Sequence, residues 1–540
     1  MVYEPVVSKT SGRLRATALC GTHAVLIGFN LTGGAPARKG LLGFAIHRED
    51  LTENEAYWLR GQIRFKGDPG DHGADVPTNR APLQKFHWAD YTAKPGHKYR
   101  YAVHPVYGPW DDLDVQAPVR LEVTAAGNRA SETGVHFNRG VTAAIAYRRR
   151  FGDVAPDDVP DGAAYTWLSR GLEEALLAFI GGAGAGDELK VSIYEYEHAS
   201  IVGALRAAKG RGVTVRLVYH AKPGDKQTAQ NRTHVNETGL ARSRIVARTA
   251  VPGIHHNKFI VRWRNGAPKD VWTGSTNFTD AGLYLQTNVG VVLRERPVVG
   301  AFDDYFETLW RDLGTSPMKD AVAAVVAHHA GGLPGGCRLF FSPVRGADLL
   351  DTAVTMIDKA RECVFISMPF GLDGEVVKAL NRNSPRVVEY GLVNTTSRKK
   401  TIGVIDRGAN SWIAAPTWIK EYDGRLWDAR AYGNHKIHVK SIVTDPWGDT
   451  PRVLIGSANF SDESVSRNDE NAIYLEGDRR VAAIVATEFL RMFDHYKFRD
   501  YLERAKKKTS ERYLVEDERW TDPYFDRKKS KYRERQVFAG

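Results

Sequence analysis

Cysteine is scarce: 3 in 540 residues, Cys20, Cys337 and Cys363, far apart and odd in number. A disulfide framework and a cysteine-based zinc site are therefore excluded as organising features. Unpaired thiols fit a reducing, cytoplasmic setting, with export lacking a classical signal left open. Long apolar runs are also missing, since no stretch approaches the roughly 18 consecutive apolar residues of a spanning helix. The run Ala24–Phe29 follows Arg13 and Arg15, but it is too short for a signal peptide. His23 interrupts its start and no small-x-small cleavage site follows, so it reads as a strand. No Asp/Glu/His cluster shows metal-ligand spacing, and neither metal nor cofactor is expected. Acidic residues are outnumbered, with Asp+Glu 64 against Lys+Arg 75 and a formal net charge of +11. That favours an anionic partner, nucleic acid or an acidic membrane surface, although net charge mainly governs solubility and steering. Hydrophobic residues at 42% and charged residues at 26% exclude a disordered, collagen-like or coiled-coil chain.

The length suggests about three domains. Residues 13–126 read as all-β, with runs Ala24–Leu31, Gly40–His47, Tyr99–Val103 and Val119–Ala125 separated by Gly/Pro/Asp-rich turns. Downstream the pattern alternates. Leu168, Leu172, Leu176 and Phe179 share a helical face, followed by strand Leu189–Tyr194, a helix near Ser200–Ala208 and strand Val213–Tyr219. The same order recurs with Leu350, Val354 and Ile357, strand Cys363–Met368, helix Glu375–Leu380 and strand Arg386–Val393. This βαβ order, repeated, predicts an α/β chain of two halves with sheets covered by helices. The expected divisions are a β-sandwich accessory domain at 1–150, a first lobe at 160–315, a second lobe at 337–500 and a basic, aromatic segment at 501–540. Residues 316–336 read as the connection between lobes and Asp153–Asp161 as a linker.

One short constellation occurs once per half. The first copy is His256-Asn257-Lys258 with Gly274-Ser275-Thr276-Asn277; the second is His438-Val439-Lys440 with Gly456-Ser457-Ala458-Asn459. The His-to-Asn offset is 21 in both, as 277 − 256 and 459 − 438 show. Residues i and i+2 of a strand share a face, so each imidazole and lysine point the same way. A returning strand brings the Gly-Ser-x-Asn turn beside them. Two such halves face to face would offer two imidazoles, two ammonium groups and two amides, a cage for a tetrahedral anion with a nucleophile and a proton donor.

These segments resemble the phospholipase D superfamily, whose signature is His-x-Lys-(four residues)-Asp followed by Gly-Ser/Gly-x-Asn. The second copy fits in full through Asp445, whereas the first carries Trp263 at the Asp position. The resemblance covers roughly residues 160–500. It implies two lobes related by a pseudo-twofold axis, an active site between them, and metal-free phosphodiester chemistry through a covalent phosphohistidine. It also implies His256, Lys258, Asn277, His438, Lys440 and Asn459 as catalytic residues, with Ser275 and Ser457 in supporting turns. Phospholipid is the leading substrate class, with contact to an anionic membrane surface as a peripheral protein. A metal-independent nuclease or tyrosyl-DNA-phosphodiesterase-like enzyme, and a phosphate-binding module without turnover, are the alternatives. No obligate protein partner is implied. The segment Pro95-Gly96-His97-Lys98-Tyr99-Arg100-Tyr101 resembles the tyrosine-corner strand of fibronectin type III and immunoglobulin-like sandwiches.

Asp445 reads as a structural ion-pair partner in the second lobe, and Trp263 as a sign that lobe one is braced differently. His255 reads as a packed or surface histidine, and Glu195 and Glu197 as solvated or capping residues. Eleven residues past each motif Asn, the halves diverge into Asn288 and Glu470. By resemblance, the amide is expected to support His256 as nucleophile and the carboxylate to support His438 as general acid. The basic runs Lys506–Lys508 and Arg527–Lys529 with Trp520, Tyr524, Phe525 and Tyr532 read as a closing segment packed on a lobe.

Overall fold

The computed structural model describes residues 3–70, 75–128, 133–140, 144–382, 386–394, 411–414, 421–422, 425–426, 436–505 and 512–539. Lys506–Lys508 lie outside the described residues.

The N-terminal region is all-β. Strands Val6–Ser11, Leu14–Cys20, Val25–Leu31 and His87–Asp90 form one antiparallel sheet. Leu41–Asp50, Glu55–Trp58, Lys98–Tyr107, Asp114–Val115 and Val119–Thr124 form the other. Alternation places Tyr99, Tyr101 and Val103 inside with Phe44 of the same sheet, in one core with Ile27 and Phe29 of the other. Tyr99 Oη accepts the backbone N–H of Lys94 at 2.7 Å, tying the strand to the turn before it.

Two mixed sheets of seven strands follow, and they match strand for strand. The first runs Gly134–Phe137, Val289–Leu293, Ala267–Gly274, Lys258–Arg264, Glu188–Ile193, Thr214–His220 and Ile245–Arg248. The second runs Cys337–Ser342, Glu470–Glu476, Arg452–Gly456, Lys440–Thr444, Cys363–Ser367, Val388–Leu392 and Ser411–Ala414. In each, the last three strands are parallel and the rest antiparallel. Their central strands are buried on both faces because helices cover them, which explains the continuous runs Phe259-Ile260-Val261 and Ile442-Val443. One apolar core passes through both lobes, joining Val289, Phe302 and Phe306 to Phe365, Ile473 and Phe489. Helices Arg296–Trp310 and Arg479–Ala505 supply much of it.

Three expectations are revised. Strand Gly134–Phe137 already belongs to the lobe-one sheet, so the 150 boundary falls inside that lobe. The expected connection at 316–336 is mostly the helix Thr315–Ala330, because alanine is the best helix former and the glycines cluster only at its end. The closing segment packs on the sandwich as well as on a lobe. Trp520 Nε1 donates to Leu41 O at 2.8 Å within the sandwich core, while Phe538 lies against Tyr390, Phe365 and Trp447 of lobe two. Gly28 permits this passage, since a Cβ there would fall 1.7 Å from Phe538 O.

Candidate active site

The lobes meet edge to edge through their motif segments. His256 N donates to Asp469 O at 2.9 Å and His438 N to Thr287 O at 3.1 Å, one bond on each side of the pseudo-twofold axis. Behind them, Asn471 Nδ2 donates to Asn257 Oδ1 at 2.8 Å across the seam. Within each lobe the motif glycine lets its turn lie close against the next strand. A Cβ on Gly274 would lie 2.2 Å from Val289 O, and one on Gly456 2.3 Å from Asn471 O. No other residue fits beside the neighbouring strand at either turn.

The imidazole rings of His256 and His438 stand 6.3 Å apart, centroid to centroid, at 64°. Both rings are tied back through Nδ1. His256 Nδ1 lies 2.8 Å from Glu470 Oε2, and His438 Nδ1 lies 2.8 Å from Asn288 Oδ1 and 3.0 Å from Ser275 O. The tautomers follow from the partners. Asn288 Nδ2 donates to Gly282 O at 2.8 Å, a group that only accepts, so Oδ1 is the atom facing His438. Each Nδ1 therefore carries the proton, and each Nε2 is the free base.

The supports are crossed relative to expectation. Glu470 of lobe two holds the lobe-one histidine, and Asn288 of lobe one holds the lobe-two histidine. Spacing identified both residues but not their partners, because each begins a strand whose end faces the other lobe. Glu470 is itself held through Oε1 by Ser464 Oγ at 2.5 Å and Asn468 Nδ2 at 3.1 Å, two residues the sequence reading missed. Ser275 Oγ donates to Asn288 Oδ1 at 2.8 Å, and Ser457 Oγ accepts Asn471 N–H at 3.0 Å, so both motif serines brace their turns.

Lys258 and Lys440 are fully buried. Lys258 Nζ donates to His256 O and lies 5.0 Å from the Tyr194 ring centroid. Lys440 Nζ lies 5.0 Å from the Phe370 ring and has no hydrogen-bond partner among the described residues. A buried ammonium without a partner is costly by several kcal/mol, about the scale of a broken buried ion pair, so the site is built to receive an anion. Burial pushes Lys258 down to about 7 against the pull of Glu470 and Glu195. Burial and the Lys258 charge hold Lys440 well below the usual ammonium range. Burial and the two lysines keep both histidines neutral, well below the ordinary imidazole value. Burial raises Glu470 to about 7.

Asn277 and Asn459 end the motif turns, each with a buried Oδ1 lacking a partner among the described residues. Asn277 Nδ2 donates to Glu195 Oε2, which places Glu195 in the cage rather than in solvent. The signal available was position: Glu195 follows the carboxyl end of a strand paired with Lys258, where ligands of open α/β sheets gather. Glu197 accepts from Gln227 Nε2 and is the more ordinary bracing residue. His255 is packed, with Nδ1 2.9 Å from Asp469 Oδ2 and Nε2 3.0 Å from Ser192 Oγ.

Asp445 and Trp263 occupy equivalent places with different bonding. Asp445 accepts the backbone N–H groups of Arg361, Glu362 and Cys363 at 2.9, 2.8 and 3.0 Å, so it fixes a turn instead of making the expected ion pair. Trp263 Nε1 donates to Asp303 Oδ1 at 2.7 Å under the Lys190 ammonium, 4.5 Å from its ring. Among the described residues, the two groupings able to hold a cation, Asp304/His328/His329 and Asp50/Glu53/His97, share no residue with the cage.

A family model described as "Cardiolipin synthase, PLD-like domain" matches residues 176–310 and 353–493, over half of the chain. The chain thus belongs to the phospholipase D-like family, whose members are generally phosphodiesterases. Three solved structures illustrate the likeness. Nuc from Salmonella typhimurium, a phospholipase D family member, is 24% identical over 26% of this chain and 87% of its own, TM-score 0.23. Phosphatidylserine synthase from Haemophilus influenzae is 11% identical over 64% of this chain and 94% of its own, TM-score 0.42. Yeast tyrosyl-DNA phosphodiesterase is 14% identical over 56% of this chain and 86% of its own, TM-score 0.34. No curated protein sequence matches the chain.

Proposed function

We propose that the protein is a metal-independent phosphodiesterase working by two displacements at phosphorus. The observation that carries this reading is the pair of neutral imidazoles 6.3 Å apart, each with Nδ1 tied back, between two buried lysines. A phosphodiester seated there takes Lys258, Lys440, Asn277 and Asn459 as donors to its non-bridging oxygens.

His256 is the nucleophile. When its Nε2 lone pair bonds to phosphorus while Nδ1 keeps its proton, the ring becomes cationic, and the Glu470 carboxylate faces that charge. His438 is the general acid. Its Nδ1–H meets only neutral oxygens, which stabilise an imidazolium less and leave it a readier proton donor. The bound phosphate monoanion favours protonation of His438 Nε2. That proton moves to the leaving oxygen as the P–O bond breaks. Neutral His438 then takes a proton from water or an alcohol, whose oxygen displaces His256 from phosphorus.

The family description favours a phospholipid substrate. A nucleic-acid diester is the second reading, favoured by Phe370, which is 36% exposed and 5.4 Å from the His438 ring, where a base could stack. In this reading the N-terminal sandwich is an accessory domain to the two catalytic lobes. Cleavage of anionic liposomes and of single-stranded oligonucleotides, both in EDTA, tests it. Head-group release from liposomes with the oligonucleotide intact is expected. Activity lost in EDTA and restored by magnesium would overturn the metal-free mechanism.

A further inference from the structure

The cage holds two carboxylates, and they are used differently. Glu470 has both oxygens engaged, by His256, Ser464 and Asn468. The Glu195 carboxylate bonds, among the described residues, only to Asn277 Nδ2. It interacts electrostatically with both Lys258 and Lys440. The two lobes differ here. Ser192 and Ser367 pair at equivalent places with Phe259 and Ser441, and Tyr196 and Leu372 bridge to the equivalent Phe278 and Phe460. Counting back from those bridges, the place of Glu195 is taken in lobe two by Gly371. Among the described residues, no carboxylate of the second lobe stands at the position equivalent to Glu195.

We propose that Glu195 is a specificity-determining residue that admits phosphodiesters and rejects phosphomonoesters and inorganic phosphate. The inference rests on the phosphodiesterase reading above and assigns a selectivity to the same site. A diester carries one negative charge, shared over two non-bridging oxygens that two lysines and two amides can satisfy. A monoester or free phosphate at pH 8 carries a second charge and a third free oxygen. On the lobe-one side that oxygen approaches Asn277, whose amide already donates to Glu195. The amide has two N–H donors and can meet both Glu195 and a diester oxygen, but a dianion beside Glu195 meets about twice the repulsion of a monoanion where water is excluded. An attacking water would yield a monoester product, so the same carboxylate also speeds product release.

The test compares wild type with Glu195→Gln, Glu195→Ala and Glu195→Asp, each shown by circular dichroism and thermal melting to be folded. The probes are bis(4-nitrophenyl) phosphate as diester and inorganic phosphate as competitive inhibitor at pH 8. In Glu195→Gln and Glu195→Ala, the phosphate inhibition constant should fall about tenfold or more, the scale of one like-charge contact. The ratio of that constant to the diester KM should fall with it, and Glu195→Asp should retain wild-type discrimination. An unchanged ratio of inhibition constant to KM in the folded Gln and Ala variants would overturn the proposal while leaving the phosphodiesterase reading intact. Wild type that neither cleaves the diester nor binds phosphate would overturn both.

Discussion

Lobe one and lobe two repeat the same sheet order and the same motif spacing, yet they complete each other's chemistry. Lobe one gives its histidine to a carboxylate from lobe two. Lobe two gives its histidine to an amide and a carbonyl from lobe one. Neither lobe alone holds its motif histidine with the support it has in the whole protein. Duplicated halves can thus acquire different roles without changing a motif, because divergence at the two supporting positions suffices to give one ring a charged neighbour and the other neutral ones.

The largest effects should come from breaking that division directly. His256→Ala and His438→Ala should each lower turnover of an alkyl diester by about 10³-fold or more. With a 4-nitrophenolate leaving group, which needs no proton, His438→Ala should still accumulate a phosphoenzyme and His256→Ala should form none. Trapping and peptide mapping of the label checks this, and label on His438 in the wild type would reverse the roles.

The lysines should behave alike where the histidines do not. Lys258→Met and Lys440→Met should each lose about 10²–10³ in kcat, the usual worth of a charge-stabilising donor in a shielded site. Near-wild-type turnover by either folded variant would remove the cage from the mechanism.

A smaller effect sharpens the electrostatics. In the proposed mechanism the protonated form of Lys258 binds the anion, and its value near 7 lies far below that of a free lysine. Affinity for a non-hydrolysable monoanionic diester should therefore fall as pH rises through about 7, by up to about tenfold per pH unit above it. Calorimetric titration from about pH 6 to about 8.5 should find net proton uptake on binding near neutrality. A flat profile would show that Lys258 is already fully charged in the free protein.

The smallest effects concern the braces. Asp445→Ala leaves three backbone N–H groups without their acceptor and should cost about 2–3 kcal/mol in urea unfolding. Trp263→Phe removes one hydrogen bond to Asp303 and should cost about 1 kcal/mol. Equal losses would mean that the two positions brace their lobes in the same way.

Much of this was legible in the residues. Period-2 and helical patterns marked the strands and helices, and paired motifs at equal offsets located His256, Lys258, Asn277 and their counterparts. The pairing of Asn288 and Glu470 was not legible, because a linear offset measures distance along one lobe and the contact crosses between two. Ser464 and Asn468 were invisible for a related reason: their role exists only once Glu470 is turned toward the seam. Glu195 stands in a Tyr-Glu-Tyr-Glu run whose alternation suits an exposed strand end equally well. The strand Gly134–Phe137 was hidden because only pairing with Val289–Leu293 assigns it to a lobe.

The final helix, Ser530–Ala539, has a temporal implication. Thr17 Oγ1 donates to Ala539 O across 522 residues, and Phe538 lies where Gly28 leaves room for it. The strands Leu14–Cys20 and Val25–Leu31 therefore wait for residues made long after them before their apolar surface is covered. Domains usually mature in the order in which they are translated. Here Leu14–Cys20 and Val25–Leu31 are sealed only by residues translated about 500 positions later, and the nascent chain carries an open sheet face through that interval.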